Sequence, residues 1–160
     1  MTAVLGIDLS SFAIDLVLLD EDTDEATWTH LDLGGVTSFD RCRQVANVFP
    51  SASWFEDRGL YLAALEKPSA ASFISAAAQF PVFGAVAVLL PRELVVWSFR
   101  PAEWKKSLGV PLREKPTQDL IASLVSGVTG EWTQDALDAC GIAWAAREQN
   151  GHAVGTRHAA

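Results

Sequence analysis

The pattern of apolar and polar positions begins with three short runs that predict β-strands. The first run, residues 3–8, is apolar up to its final acid, which is typical of a central strand buried on both faces. Residues 13–19 form a second apolar run, and an acidic turn follows it. Residues 27–33 alternate in polarity and predict a third, more exposed strand. These three strands are expected to form an antiparallel meander that ends at Gly34-Gly35.

The remaining pattern alternates helices with two further strands, over residues 59–65 and 94–99. Residues 50–58 are expected to form a loop, and Pro81 is expected to kink or break the helix that contains it. The order β-β-β-α-β-α-β-α-α predicts an α/β fold with a mixed five-stranded sheet, helices on both faces, and parallel first, fourth and fifth strands. Helices are predicted to begin near Ser38, Ser69, Pro101 and Pro116. A last helix is predicted to begin after a Thr133 cap and to end near Arg147.

Length and composition favour one domain with a full hydrophobic core. The chain has 160 residues, 49% of them hydrophobic, so we expect a domain over residues 1–148 and a flexible C-terminal tail over 149–160. The N-terminus lacks a signal-peptide pattern, and the apolar stretch 76–90 is interrupted and short for a membrane span. We therefore expect a cytoplasmic protein with no membrane partner. Cys42, Cys140 and the three histidines have no metal-ligand spacing, so a zinc site is not expected.

The charge distribution leaves two interpretations open. The net charge is −8, and residues 1–40 contain nine acids and no Lys or Arg, which disfavours a nucleic-acid surface. Residues 92–115 reverse this balance, with six basic residues against three acidic ones. This segment is either a local DNA-binding patch or an ordinary solvated loop. Its basic residues are Arg92, Arg100, Lys105, Lys106, Arg113 and Lys115.

Four carboxylates are the candidate chemistry. Asp8 and Glu66 each end an apolar strand, so parallel pairing of these strands would bring both acids to one edge of the sheet, where open α/β sheets bind ligands. Asp135 and Asp138 lie three residues apart and share a face of the last helix. Such acids repel one another unless Mg²⁺, or Mn²⁺ in its place, binds between them. Two such ions are suited to phosphodiester hydrolysis.

Each acid also has a simpler explanation. Asp8 could cap the turn after its strand, and Glu66 could form a surface ion pair with Lys67. Asp135 and Asp138 lie where the helix dipole favours acids in any protein. Only their joint placement points to a metal site.

Five segments, in order, resemble the RuvC-type Holliday junction resolvases of the RNase H-like superfamily. The resemblance covers about residues 3–147, and its most specific parts are the closing helix and the two strand-end acids. Leu9-Ser10 replaces the usual Pro-Gly, and the loop before Lys115 is one residue shorter and holds Pro111. Divergent members of this kind occur in bacteriophages. The matching segments are VLGIDLSS, LEKP, QFPVFGAVAVLL, FRPAEWKKSLGV with REK, and DALDACGIAWA.

The resemblance implies a Mg²⁺-dependent endonuclease that resolves four-way DNA junctions by paired nicks. Lys105 and Lys115 match basic residues near the scissile phosphate, with Lys115 in the catalytic set, and Phe73 matches an aromatic that stacks on an unpaired base. We expect Lys106 and Arg113 to line the DNA path with them. The implied metal ligands are Asp8, Glu66, Asp135 and Asp138.

A homodimer is expected through the segment 70–90. This segment is apolar nearly all round, so a helix there would be buried on more than one side. The family dimerises through the helix after the Glu-bearing strand. The alternative is a helix enclosed between the sheet and other helices of the same chain.

Two other functions compete with the nuclease. GIDLSS resembles the phosphate loop of actin-like kinases, but the chain is short and lacks their second nucleotide motif. A non-catalytic DNA-binding module or a decayed nuclease of the same fold stays open. Mg²⁺-dependent nicking of a four-way junction distinguishes the nuclease from ATP binding by a kinase and from binding without cleavage by a module.

Overall fold

The chain folds around one five-stranded sheet. The computed structural model describes residues 2–68 and 73–158, and the side chains of residues 2–68 and 77–151. The strands are β1 Ala3–Leu9, β2 Ala13–Asp20, β3 Ala26–Asp32, β4 Leu60–Glu66 and β5 Val95–Phe99. The helices are α1 Ser38–Val48, α2 Ala52–Glu56, α3 Phe73–Leu89, α4 Pro101–Ser107, α5 Gln118–Leu124 and α6 Gln134–His158.

The sheet has the strand order β3-β2-β1-β4-β5. The first three strands pair antiparallel, and β4 pairs parallel with both β1 and β5. The predicted mixed sheet with parallel first, fourth and fifth strands is therefore confirmed. The parallel register places Ile7 opposite Leu65, so β1 and β4 end at the same edge of the sheet.

Hydrophobic cores cover both faces of the sheet, because successive residues of β1 point in opposite directions. Leu5 and Ile7 pack with residues of α1, α2 and α3 on one face. Val4 packs with residues of α4, α5 and α6 on the other. These buried side chains supply the main stabilisation, at roughly 25 cal/mol per Å² of apolar surface removed from water.

Helix α6 lies directly against β1 at Gly6. A Cβ atom on Gly6 would lie 2.0 Å from the carbonyl oxygen of Ala139 and 2.8 Å from the Cβ of Ala143. Only glycine allows this approach between helix and strand. The start of α6 is capped by Thr133, whose Oγ1 accepts a hydrogen bond from the Ala136 amide at 3.1 Å. The packing and the cap together hold the first turn of α6 near the end of β1.

Two local expectations were wrong, and of the two alternatives expected at Pro81, a kink or a break, the break was wrong. Residues 50–58 contain the short helix α2, because Phe55 is buried against the aromatic rings of Phe49 and Trp54. Pro81 lies inside α3 without ending it; Pro81 itself is exposed, while Val82 and Val86 anchor the helix in the core. Helix α6 continues to His158 instead of ending near Arg147.

No helix in the described part of the chain combines the length and the apolar character that crossing a bilayer requires.

Candidate carboxylate site

The four predicted carboxylates lie around the shared edge of β1 and β4. Asp8 and Glu66 follow the alternation of Gly6 and Ala64, so both point to the face that α6 covers. Asp135 and Asp138 come from the first turns of α6. Burial raises the pKa of Asp8 well above its usual value, and the charges of Glu66, Asp138 and Asp135 raise it further. The structure thus brings all four acids into one electrostatic cluster.

Glu66 is held by an indole from α4. The Trp104 Nε1 donates a hydrogen bond to Glu66 Oε2 at 2.6 Å, and Trp104 is fully buried. Burial raises the pKa of Glu66 although this hydrogen bond lowers it. Trp104 therefore fixes the orientation of the carboxylate at the end of β4. This role was not predictable from the sequence, since a buried tryptophan in a short helix resembles any other core residue.

Asp138 has two side-chain donors although it is nearly buried, with 5% of its surface exposed. Lys115 Nζ donates to Oδ2 at 3.0 Å, and Gln134 Nε2 donates to Oδ1 at 2.9 Å. Burial acts to lower the pKa of Lys115, but the hydrogen bond and charge of Asp138 raise it overall, with help from Asp8 and Asp135. Lys115 thus places a positive charge within the carboxylate cluster.

Lys105, one of the basic residues expected at the DNA, is nearly buried. It is 8% exposed, and its Nζ donates to the carbonyl oxygens of Leu112 at 3.2 Å and Glu114 at 2.8 Å. Its ammonium group therefore holds the loop that leads to Lys115 in place. The neighbouring Lys106 and also Arg113 are exposed. Lys105 and Lys106 are adjacent in α4 but point in different directions from the helix axis, so only Lys105 is buried.

Asp15 is a fifth acid at this edge, and it was not among the predicted site residues. It pairs with Asp8 across β1 and β2 and is 1% exposed. Trp28 Nε1 and His30 Nδ1 lie 2.8 Å and 3.0 Å from its Oδ1. After burial, the charge of Asp15 is the largest cause of the raised pKa of Asp135. The sequence feature that could have identified Asp15 is an acid between Ile14 and Leu16 in an otherwise apolar strand.

The donor set fits a hard divalent cation by its chemistry. All the groups are carboxylate oxygens. Burial and the charges of three acids raise the pKa of Asp8, and a bound cation would offset both effects. Among the side chains that the structure describes, no three acids, histidines or cysteines converge closely enough to enclose one ion. Glu66 and Asp138 are instead hydrogen bonded to Trp104 and to Lys115 with Gln134.

Phe73, the predicted base-stacking residue, begins α3, but its side chain lies outside the described residues.

Solved structures show which fold this arrangement belongs to. The chain is similar to RuvC of T. thermophilus in complex with a Holliday junction substrate, with a TM-score of 0.73 and 14% sequence identity over 95% of this chain and 96% of that one. A second Thermus thermophilus RuvC structure matches with a TM-score of 0.67 and 14% identity over 93% and 96% of the two chains. The chain has an RNase H-like fold.

The likeness is one of structure and not of sequence. No family model matches the chain, and no curated protein matches it in sequence. The RNase H-like fold predicted from the motifs is therefore confirmed by the course of the backbone, while the roles of individual residues depend on the geometry of the site.

Proposed function

We propose that this protein is a divalent-metal-dependent nuclease that cleaves branched DNA and resolves four-way junctions by paired nicks. The observation that carries the proposal is the position of four carboxylates at one sheet edge, formed by the ends of β1 and β4 and the start of α6. Burial raises the pKa of Asp8 there, and the charges of the other three acids raise it further. The fold adds support, because a structural neighbour is a RuvC in complex with a Holliday junction substrate.

In this proposal Asp8, Glu66, Asp135 and Asp138 hold Mg²⁺, with Mn²⁺ able to replace it. The ions would supply an activated water and stabilise the leaving oxygen of a phosphodiester. Trp104 orients Glu66, and Gln134 orients Asp138. The ammonium group of Lys115 offsets part of the acidic charge, which otherwise opposes the approach of a phosphate.

The direct test is Mg²⁺-dependent nicking of a synthetic four-way junction, with linear duplex of the same sequence as the comparison. Paired nicks in the junction that require the metal would support the proposal. Junction binding without cleavage under Mg²⁺ and Mn²⁺ would instead indicate a non-catalytic module. Binding of ATP with no binding of DNA would indicate an actin-like kinase.

Three exposed cations are proposed to line the DNA path beside the site: Lys106, Arg113 and Lys115. Replacing Lys115 or Arg113 with alanine is expected to weaken junction binding. Each lost phosphate contact should also flatten the plot of log binding constant against log salt concentration by about one unit. Fluorescence anisotropy titrations at several salt concentrations measure this slope.

Arg92→Ala is the control for this prediction. Arg92 is also exposed, but it precedes β5 and so lies at the opposite edge of the sheet from Glu66. Its removal is expected to leave the slope unchanged. If Lys115→Ala and Arg113→Ala also leave the slope unchanged, these cations are ordinary surface residues.

A homodimer through α3 is the proposed assembly. Val82 and Val86 bury one side of this helix in the core, while Phe80 and Val88 remain 50% and 84% exposed on the other. An exposed apolar helix face of this kind is typical of a subunit interface. Two sites related by a two-fold axis would also suit the two opposed nicks that resolution requires.

Light scattering at micromolar concentration is expected to give the mass of a dimer, and Val88→Glu is expected to convert it to a monomer. Val96→Glu is the matched control, since Val96 is also exposed, at 46%, but lies on the edge strand β5. A monomer mass for the unmodified protein, unchanged by added junction DNA, would remove the dimer.

A further inference from the structure

Phe12 is an exposed aromatic residue at the same edge of the sheet as the carboxylates. It lies in the turn between the end of β1, where Asp8 is located, and the start of β2. Its side chain is not part of either hydrophobic core, and 63% of the residue is exposed. Phe12 lies four positions after Asp8 in the chain, which limits the distance between their Cα atoms to about 14 Å.

The backbone of Phe12 is held in place although its ring is exposed. Its amide donates to the Oγ of Ser10 at 3.1 Å, and its carbonyl oxygen accepts from the Leu33 amide at 2.7 Å. The Ser10 hydroxyl also accepts from the Ala13 amide at 2.8 Å, which closes the turn. The ring is therefore presented by an ordered turn and not by a loose loop.

One side of the ring is in contact with a buried cation. The Cζ of Arg41 lies 4.6 Å from the centre of the Phe12 ring, and Arg41 is 6% exposed. The Nη1 of Arg41 donates to the carbonyl oxygens of Gly35 at 3.1 Å and Val36 at 3.3 Å. Its Nε is buried without a hydrogen-bond partner among the described residues. The guanidinium group is thus fixed beneath the ring by the chain that follows β3.

This arrangement suits a flat, electron-rich partner better than an aliphatic one. The ring is supported from one side, so a second planar group can stack where the solvent now lies. Nucleobases stack on aromatic side chains in this way in proteins that bind single strands. A base inside a regular duplex already has both neighbours, whereas a base at a branch point has a free face.

We propose that Phe12, supported by Arg41, is a stacking contact for an unpaired nucleobase at the branch point of the DNA substrate. This inference rests on the proposed function, because it assigns a contact for the same nucleic acid at the sheet edge where β1 ends, on the side of α1 and not of α6. It adds a substrate contact in the turn after β1, separate from the position of Phe73.

Binding without added divalent metal tests the proposal, since cleavage then plays no part. Phe12→Leu, which keeps an apolar side chain but removes the aromatic face, is expected to weaken binding of a four-way junction by roughly 5- to 100-fold. Phe12→Trp is expected to keep the affinity, and the introduced indole should be quenched by the junction. Binding of linear duplex should change less than twofold in either variant.

Trp54 lies on α2, which leads into the start of β4 at the opposite edge of the sheet. Trp54→Leu is the matched control, because it also removes an aromatic ring that an arginine contacts, with the Cζ of Arg58 4.3 Å from the ring centre. It should leave junction binding unchanged, and thermal unfolding should show all variants to be folded. Equal junction binding by wild type and Phe12→Leu would overturn the stacking contact and leave the nuclease proposal standing. Tight binding by Phe12→Leu with loss in Phe12→Ala would indicate a merely apolar contact and would also overturn it. If the unmodified protein binds no junction, the proposed function itself fails.

Discussion

Asp8→Asn is expected to reduce junction cleavage by at least about a hundredfold. Asp8 is itself a proposed metal ligand, and replacing even a residue that only orients a ligand typically costs about 10- to 100-fold in activity. Binding of the junction should be unchanged or tighter. The reason is that the substitution removes an acid whose negative charge, when ionised, would oppose the approach of a phosphate in the proposed complex. Single-turnover cleavage in Mg²⁺ and anisotropy titrations without metal measure the two effects separately.

The same substitution should change how the stability of the metal-free protein depends on pH. Burial and three acids raise the folded-state pKa of Asp8 above the ordinary value of 3.8, so the folded state holds its proton more tightly than the unfolded state does. The stability that this proton contributes is therefore lost as the pH rises from that value through the raised pKa. Asp8→Asn should be less sensitive to pH than wild type in urea unfolding over this window.

Asp57→Asn provides the control, because Asp57 is exposed beyond α2 and away from the carboxylate cluster. It should change neither cleavage nor the pH dependence of unfolding. Cleavage at the wild-type rate by Asp8→Asn would refute the assignment of Asp8 as a metal ligand.

Gly6→Ala is expected to be among the most damaging single-methyl substitutions in the chain. The new Cβ would lie 2.0 Å from the carbonyl oxygen of Ala139, which is backbone and cannot rotate away. Helix α6 would have to move off β1, so we expect a loss of about 3 kcal/mol or more in the free energy of unfolding. Cleavage should fall as well, because Asp135 and Asp138 move with the helix.

Gly151→Ala is the comparison, since no atom lies within 4 Å of the Cβ that it would add. Within α6 this change should be neutral or stabilise the protein by about 0.5–1 kcal/mol, because alanine favours the helix. Urea unfolding of both variants measures the difference. Equal stability of Gly6→Ala and wild type would show that α6 and β1 are far enough apart at Gly6 to accommodate a methyl group.

The acids at strand ends were predictable because the functional residue itself forms part of the local sequence pattern that identifies the strand. An apolar run that stops at an acid marks both the strand and its end, which was enough to select Asp8 and Glu66. Spacing along a helix was enough to pair Asp135 with Asp138. These signals require no knowledge of how distant segments meet.

The partners of those acids were not predictable, because they depend on distant contacts. Trp104 reaches Glu66 from a different helix, and Asp15 became relevant only through the register of β1 with β2. Lys105 and Lys106 are adjacent basic residues in the sequence. Their different surroundings arise from the docking of α4, which buries only Lys105.

The hydrogen bond between Trp104 and Glu66 gives the site a built-in spectroscopic reporter. The indole N–H of Trp104 is fully buried and lies 2.6 Å from the carboxylate oxygen, measured between Nε1 and Oε2. Its NMR resonance should therefore shift when Glu66 gains a proton or another ligand, while the indoles remote from the site serve as internal references. Occupancy of the carboxylate edge could then be followed in solution at a single residue, without a label and without turnover.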